Sequence, residues 1–321
     1  MLRLARRTLH GLLLLVAVSA FSFVLLTFAP GNFFDELKLN PQISPQTVEA
    51  LKAEYGMDRP AAVRYWCWVS AATRGEFGYS LSYKCPVGAL LWPRARNTLL
   101  LTVLATIVAW LIALPWGVLQ AVQRGRLLDR FGSVLTAALL ATPELLLGLL
   151  LLLFAARTGW LPAGGMTSPD SAASGWARFS DLAKHLILPA AALALGALPI
   201  LVRHVRAAMV VALESPFIES ARGLGIPARR ILWRYAFGAS ANSLISLLGF
   251  SIGGLLSMSF VVEVILNWPG LGPLVLEAML ARDLHVVLAA VLLSSVFLIA
   301  GNAISDVLLY WSDPRIREVG A

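Results

Sequence analysis

The chain has 321 residues, of which 58% are hydrophobic and only 14% charged, and its mean hydropathy is +0.76. That is too apolar for an ordinary soluble domain, so the bilayer is its natural solvent. The formal net charge of +8 would suit nucleic acid if the basic residues formed one patch. Instead the arginines sit at the ends of apolar runs, the distribution expected of membrane orientation, and no nucleic-acid partner is expected.

Crossing a hydrocarbon core of about 30 Å takes roughly 20 helical residues. Six stretches are long enough, near 9–29, 97–121, 131–156, 185–206, 240–263 and 286–310, predicting an all-α membrane protein with six transmembrane helices. The first follows Arg3, Arg6 and Arg7 as a secretory signal would. Its apolar run is long for a signal, however, and the small-residue site ending at Ala29 precedes Pro30, so it is read as a retained helix.

Orientation follows from where Lys and Arg fall beside the spans. With the N-terminus inside, the inner segments hold Arg3, Arg6, Arg7, Arg124, Arg126, Arg130, the arginines of the loop between helices 4 and 5, Arg315 and Arg317. The two short outer loops hold only Arg157, Arg178, Lys184 and Arg282. Both termini are therefore expected to be cytoplasmic. The chain divides into a cytoplasmic N-terminus (1–8), helix 1 (9–29), a periplasmic region with short helices (30–96), a transmembrane core (97–310) with a cytoplasmic loop (207–239), and a cytoplasmic tail (311–321).

In the outer region, Ser44 as a cap, Pro45 in the first turn and Gly56 at the exit predict one surface helix, and a second runs from Pro60 to about Gly75. Such a cap is a place for a soluble partner to rest, or simply a cap. The only cysteines, Cys67 and Cys85, fall here, where a periplasm permits a disulfide. A bridge and two unpaired thiols are both open.

An ionisable residue lies near the middle of predicted helix 3, Glu144, just after Pro143. A charge at bilayer depth is costly unless it faces protein or water, so Glu144 is a candidate functional residue. The other reading is a protonated carboxyl bonded to a backbone carbonyl that Pro143 frees. Asp306 and Glu263, near helix ends where water or headgroups reach, are read as structural, and His204 as a surface histidine. No His, Cys and acid cluster has the spacing of a metal site.

The inner loop is the most punctuated segment: ALESPFIESARGLGIPARRILWRYAFG. Ser215 suits an N-cap, Pro216 the first helical position, Glu219 the first turns and Gly225 a left-handed exit, while Pro227 permits a second start. The helix between them carries Phe217, Ala221 and Leu224 on one apolar face, flanked by Glu219 and Arg222. A helix this short is marginal alone in water, so either a partner protein or its own bundle must hold it.

On helix 5, Asn242, Ser246, Gly249, Gly253 and Ser257 recur on one face. They make one small, weakly polar face, either a lining exposed to water or a small-residue packing face of the kind membrane interfaces favour.

The inner loop resembles the EAA loop of ABC importer permeases, whose pattern is Glu-Ala-Ala, three residues, then Gly. Here it reads Glu219, Ser220, Ala221, three residues, Gly225, with Ser220 in place of the second Ala. The family's later Ile-x-Leu-Pro element falls on Tyr235, Ala236, Phe237 and Gly238 and is not matched. Together with YGMDRPAAVRYW, RGEFGYSL, GWLPAGG, NWPGLGPLVLEAMLARD and DPRIR, the chain resembles the first of the two permeases in the dipeptide, oligopeptide and nickel branch.

The resemblance implies a type I ABC importer permease fold, with 216–225 acting as the coupling helix that inserts into an ATPase subunit. It also implies a second homologous permease, two cytoplasmic ATPase subunits that bind ATP and Mg, and a periplasmic substrate-binding protein. The expected solutes are peptides or similar small polar molecules, with the helix 5 face of Asn242, Ser246, Gly249, Gly253 and Ser257 as a candidate wall of their translocation pathway and Glu144 either meeting a cationic feature of the solute or pairing with the second permease. Consistent with a non-catalytic subunit that has no cofactor of its own, the sequence has no G-x-x-x-x-G-K-[ST], and none of Lys38, Lys52, Lys84 or Lys184 follows a glycine. The alternative class, an ion-coupled secondary transporter or channel, should carry its own ion site among broken helices, and only Glu144 answers that description.

Overall fold

The structure is a computed structural model that describes residues 2–28, 44–54, 56, 58–168 and 175–312. In chain order the helices are α1 (Leu2–Phe28), α2 (Pro45–Glu54) and α3 (Ala61–Ala72), followed by a two-stranded hairpin, β1 (Tyr79–Ser80) and β2 (Cys85–Pro86). Next come α4 (Val87–Val122), α5 (Leu127–Ala141), α6 (Glu144–Thr158) and α7 (Gly175–Leu213). The short helix α8 (Pro216–Gly223) leads to α9 (Ala228–Ile265), whose second turn is a π segment, Ile231–Ala236. The last two are α10 (Leu271–Leu280) and α11 (Leu284–Ser312).

The apolar part of α1, Leu9–Phe28, and all of α4, α7, α9 and α11 are long and apolar enough to cross a membrane. The pair α5 and α6 makes a sixth span when counted as one, but it is bent by 97° at its break. The single helix expected over 131–156 is therefore broken. Thr142 is extended and Pro143, at φ −58° and ψ 142°, starts a new helix rather than continuing the old one. The long spans also outrun the apolar windows. With α7 running to Leu213 and α9 starting at Ala228, the connection between them is 214–227.

The chain divides into two compact units, Met1–Thr98 with Pro269–Phe297, and Leu99–Trp268 with Leu298–Ala321. In the first, Phe23, Trp68 and Leu288 form one buried cluster, with Tyr65, Leu284 and Leu292 packed against them. Buried Asp283 accepts from Ser80 Oγ at 2.6 Å and from the Ser82 amide at 3.2 Å, fastening the hairpin to the start of α11. Gly78, at φ +93°, lies so close to the His285 ring that a Cβ would overlap it. Asn97 Nδ2 donates to Pro269 O at 2.8 Å, and Thr98 Oγ1 accepts from the Leu271 amide at 2.8 Å, which anchors the entry to α10.

Cys67 and Cys85 are both free thiols, so the bridge left open by the sequence is not formed. Cys67 is exposed on α3, while Cys85 is held in the ladder opposite Ser80. The outer helices have the expected punctuation: Ser44 Oγ accepts from the Thr47 amide at 3.1 Å, and Gly56 takes φ +62°.

In the second unit α7 is the spine, with Leu193, Val202, Val205 and Met209 fully buried. The face of α4 carrying Leu101, Ala105, Ala109, Ala113, Gly117 and Ala121 at four-residue spacing is buried, and Gly117 lies against Val205 and the Val202 carbonyl. Small side chains let helix backbones approach where lipid gives no hydrophobic drive for association. On α9, Gly249 lies against Ser305 and Gly253 against Leu298, both on α11, and Ser305 Oγ donates to Ile245 O at 2.7 Å.

Candidate functional site

The short helix α8 stands at the turn between α7 and α9 with the expected bounds. Pro216 opens it, and Gly225 closes it at φ +73°. The Gly225 amide donates to Arg222 O at 3.0 Å and the Ile226 amide to Ala221 O at 3.2 Å, so the last carbonyls are satisfied by a left-handed exit. Ser215 occupies the N-cap position with extended backbone, but its hydroxyl turns back to Ala212 O instead of capping.

The apolar face differs from the one read from spacing. Ile218 is fully buried and Ala221 nearly so, both within the bundle core. Phe217 is 47% exposed and Leu224 81% exposed. The helix thus has two apolar edges. One is spent on its own bundle through Ile218 and Ala221, and the other, Phe217 with Leu224, faces outward. Glu219, Ser220 and Arg222 are exposed around it, and among the described residues nothing bonds the Glu219 carboxylate. At the start of α9 an open depression of about 590 Å³ is lined by Pro227, Arg229, Arg230 and Trp233.

The helix 5 stripe separates into two kinds of position. Gly249 and Gly253 are buried against α11, so these two are packing positions. Asn242, Ser246 and Ser257 are exposed, with the Ser246 hydroxyl donating to Asn242 O at 2.9 Å and that of Ser257 to Gly253 O at 3.3 Å. A serine that satisfies its hydroxyl on its own helix presents a weakly polar surface at little desolvation cost.

Glu144 is not in mid-helix but in the first turn of α6, at the break, where the helix dipole favours a carboxylate. It is half-buried, beside Gly196 of α7. Glu263, expected to be solvated near a helix end, is instead fully buried, because the chain turns back after α9 and the Trp268 amide bonds to Glu263 O at 2.8 Å. His204 is exposed, with Nδ1 2.8 Å from Ile200 O.

Sequence reading missed a polar contact near α8. Asp129 in the first turn of α5 is paired with Arg206 of α7 through two hydrogen bonds, Nε to Oδ1 at 2.6 Å and Nη2 to Oδ2 at 2.8 Å. Asp129 was visible as an acid three residues into a helix; its partner 77 residues away was not.

Residues 113–318 match the family of binding-protein-dependent transport system inner membrane components, and residues 1–109 match the N-terminal family of such membrane components. The oligopeptide transport system permease protein AppB of Bacillus subtilis (strain 168) is 34% identical, over 97% of this chain and 98% of its own. OppB of Mycobacterium tuberculosis (strain ATCC 25618 / H37Rv), an oligopeptide transport system permease protein, is 32% identical over 98% of both. The glutathione transport system permease protein GsiC of Salmonella typhimurium is 32% identical over 99% of both. Among solved structures, a chain of the inward-facing MetNI methionine ABC transporter superposes with a TM-score of 0.57 at 19% identity, covering 70% of this chain and 96% of that one, and so shares its fold.

The chain belongs to the family of binding-protein-dependent transport system inner membrane components. It is a multi-pass permease subunit of an ABC importer in the bacterial inner membrane, with the type I permease fold.

Proposed function

We propose that the chain forms half of the pathway by which peptides or similarly small polar solutes enter the cell. Its partners are a second, homologous permease, two cytoplasmic ATPase subunits that bind ATP and Mg, and a periplasmic binding protein. ATP hydrolysis belongs to the ATPase subunits, and α8 is the segment through which their closure reaches this chain.

The observation that carries the coupling role is the split of α8, with Ile218 and Ala221 buried in the bundle while Phe217 and Leu224 stay exposed. A helix anchored on one edge and apolar on the other is suited to move as a rigid lever with whatever covers the exposed edge. The cationic cavity of Arg229 and Arg230 adds a surface that suits acidic side chains of the same partner. The names of the relatives, which transport oligopeptides and glutathione, support a peptide-like solute. Exposed Asn242, Ser246 and Ser257 give a wall without strong side-chain preference, and Glu144 is the group on this chain that would meet a solute ammonium.

The test is affinity purification of the tagged chain from its native membranes in mild detergent, with ATP hydrolysis assayed on the product. Recovery of a second permease with two ATPase subunits is expected. Gly225→Pro, which forces φ to about −65° where the native angle is +73° and removes the bonded amide, should insert normally yet stop uptake. A chain that purifies alone, or normal uptake by that variant, would overturn the coupling role.

A further inference from the structure

The α4–α5 corner is tied to the end of α7 immediately before α8, and the tie has three parts. Asp129 accepts both hydrogen bonds from Arg206 while also accepting from the Gly125 amide at 2.9 Å, in a turn where Gly125 takes φ +77°. Val205, next to Arg206, and the Val202 carbonyl one turn earlier close on Gly117 of α4 with no room for a side chain. At the tip, Arg124 pairs with Glu214, two residues before α8 begins. That last pair is exposed and weak by itself, but the Asp129 side chain is only 6% exposed and its pair is geometrically specific.

The corner itself is stiff. Gly132 of α5 meets Gln120 and Trp116 of α4 so closely that a Cβ would overlap them. Gln120 is 1% exposed, so its side chain is enclosed between the two helices. From this corner α5 runs 15 residues, about 22 Å at 1.5 Å per residue, to the break at Pro143, where the next helix starts with Glu144.

We infer that Asp129 and Arg206 are the transmission residues of this permease: they make the α4–α5 corner travel with α8, so that displacement of α8 is delivered along α5 to the break at Pro143 and Glu144. This rests on the coupling role proposed for α8 and adds where the motion goes. The route needs a rigid connection at one end and a soft one at the other. The bidentate pair supplies the first, since it resists both rotation and sliding of α7 on α5. The 97° break supplies the second, because a helix interrupted at Pro143 absorbs a tilt that a continuous span would resist.

The experiment uses the whole complex in proteoliposomes with its binding protein, and reads solute imported per ATP hydrolysed. Asp129→Asn and Arg206→Lys should each lower import by about tenfold while ATP hydrolysis continues. The exchange Asp129→Arg with Arg206→Asp should restore part of the import. In a second construction, with Cys67 and Cys85 replaced by Ser, cysteines at 124 and 214 are joined by a short bifunctional reagent. If the corner and the α7 end move as one body, the joined complex imports at its unjoined rate.

Import stopped by that link overturns the inference even if the charge variants fail to assemble, and so does wild-type stoichiometry in both single variants. A separate cross-link from a cysteine at Ser220 to the ATPase subunit reports whether α8 docks there at all. Failure of the coupling role would therefore show as no link at 220. Failure of this inference alone would show as a normal link with unchanged stoichiometry.

Discussion

At Gly249 and Gly253 the spacing that suggested a pathway wall is explained by packing, since the Ser305 and Leu298 side chains occupy the space a Cβ would need. Gly254, one residue on, faces open space. Gly249→Ala should therefore destabilise the folded protein by about 1–3 kcal/mol, and Gly254→Ala by no more than about 0.5 kcal/mol, read as thermal unfolding in one detergent. Equal shifts would mean that α9 and α11 are not in close contact. A single sequence cannot decide between wall and packing at Gly249 and Gly253, because both readings need small residues at the same spacing and only the identity of the facing helix decides. Tyr83 is legible in its sign. Burial first, and then its hydrogen bond to Glu277, pushes the Tyr83 hydroxyl up to about 12. A folded value above the unfolded one of about 10 favours the neutral phenol in the native state. Its contribution to stability is complete below about pH 10 and is lost as the pH rises through about 12. Tyr83→Phe should remove a tyrosinate absorbance component that titrates near pH 12; loss of a component near pH 10 instead would show that the bond to Glu277 is not held.

The bounds of α8 were readable because they follow local rules: Pro216 fits the first turn, Gly225 alone tolerates φ +73° without strain, and Pro227 restarts the chain. Its inward face was not readable. Phe217, Ala221 and Leu224 make one apolar set and Ile218 with Ala221 another, and periodicity cannot say which of two apolar edges a bundle will take. The structure gives the two edges opposite consequences. Ile218→Ala should cost about 2–5 kcal/mol of stability, since that side chain is fully buried. Phe217→Ala should change stability by about 0.5 kcal/mol or less yet lower uptake and weaken retention of the ATPase subunits on purification. A Phe217 variant with full uptake would remove the exposed edge from the coupling role. The break at Pro143 was hidden differently, because the apolar residues on both sides are together long enough for one span and a proline inside a span can kink a helix without ending it. Also hidden were α10 and the β1–β2 hairpin, which are held by long-range bonds from Thr98 and Asp283 rather than by any strong local signal.

For the molecule as a whole, the number of spans was legible because hydrocarbon thickness imposes a length that composition alone can meet, with the bent pair counted as the sixth. Sidedness rests on a different physical quantity, the bias of arginine toward the cytoplasmic ends of short loops, and it predicts α8 inside and α3 outside. The chain supplies its own probe for this, because Cys67 is an exposed free thiol on α3. In intact cells a membrane-impermeant maleimide should label Cys67 without prior reduction. In a Cys67→Ser, Cys85→Ser background, a cysteine at Ser220, an exposed position of α8, should stay unlabelled until the membrane is permeabilised. The reverse pattern would place α8 on the binding-protein side, where no cytoplasmic ATPase could reach Phe217 and Leu224, and the coupling role would fall with it. Labelling at both positions in intact cells would mean two orientations in one membrane. The concentration of Arg222, Arg229, Arg230 and Arg234 around α8 argues against that, because inverting the chain would carry those four charges across the bilayer.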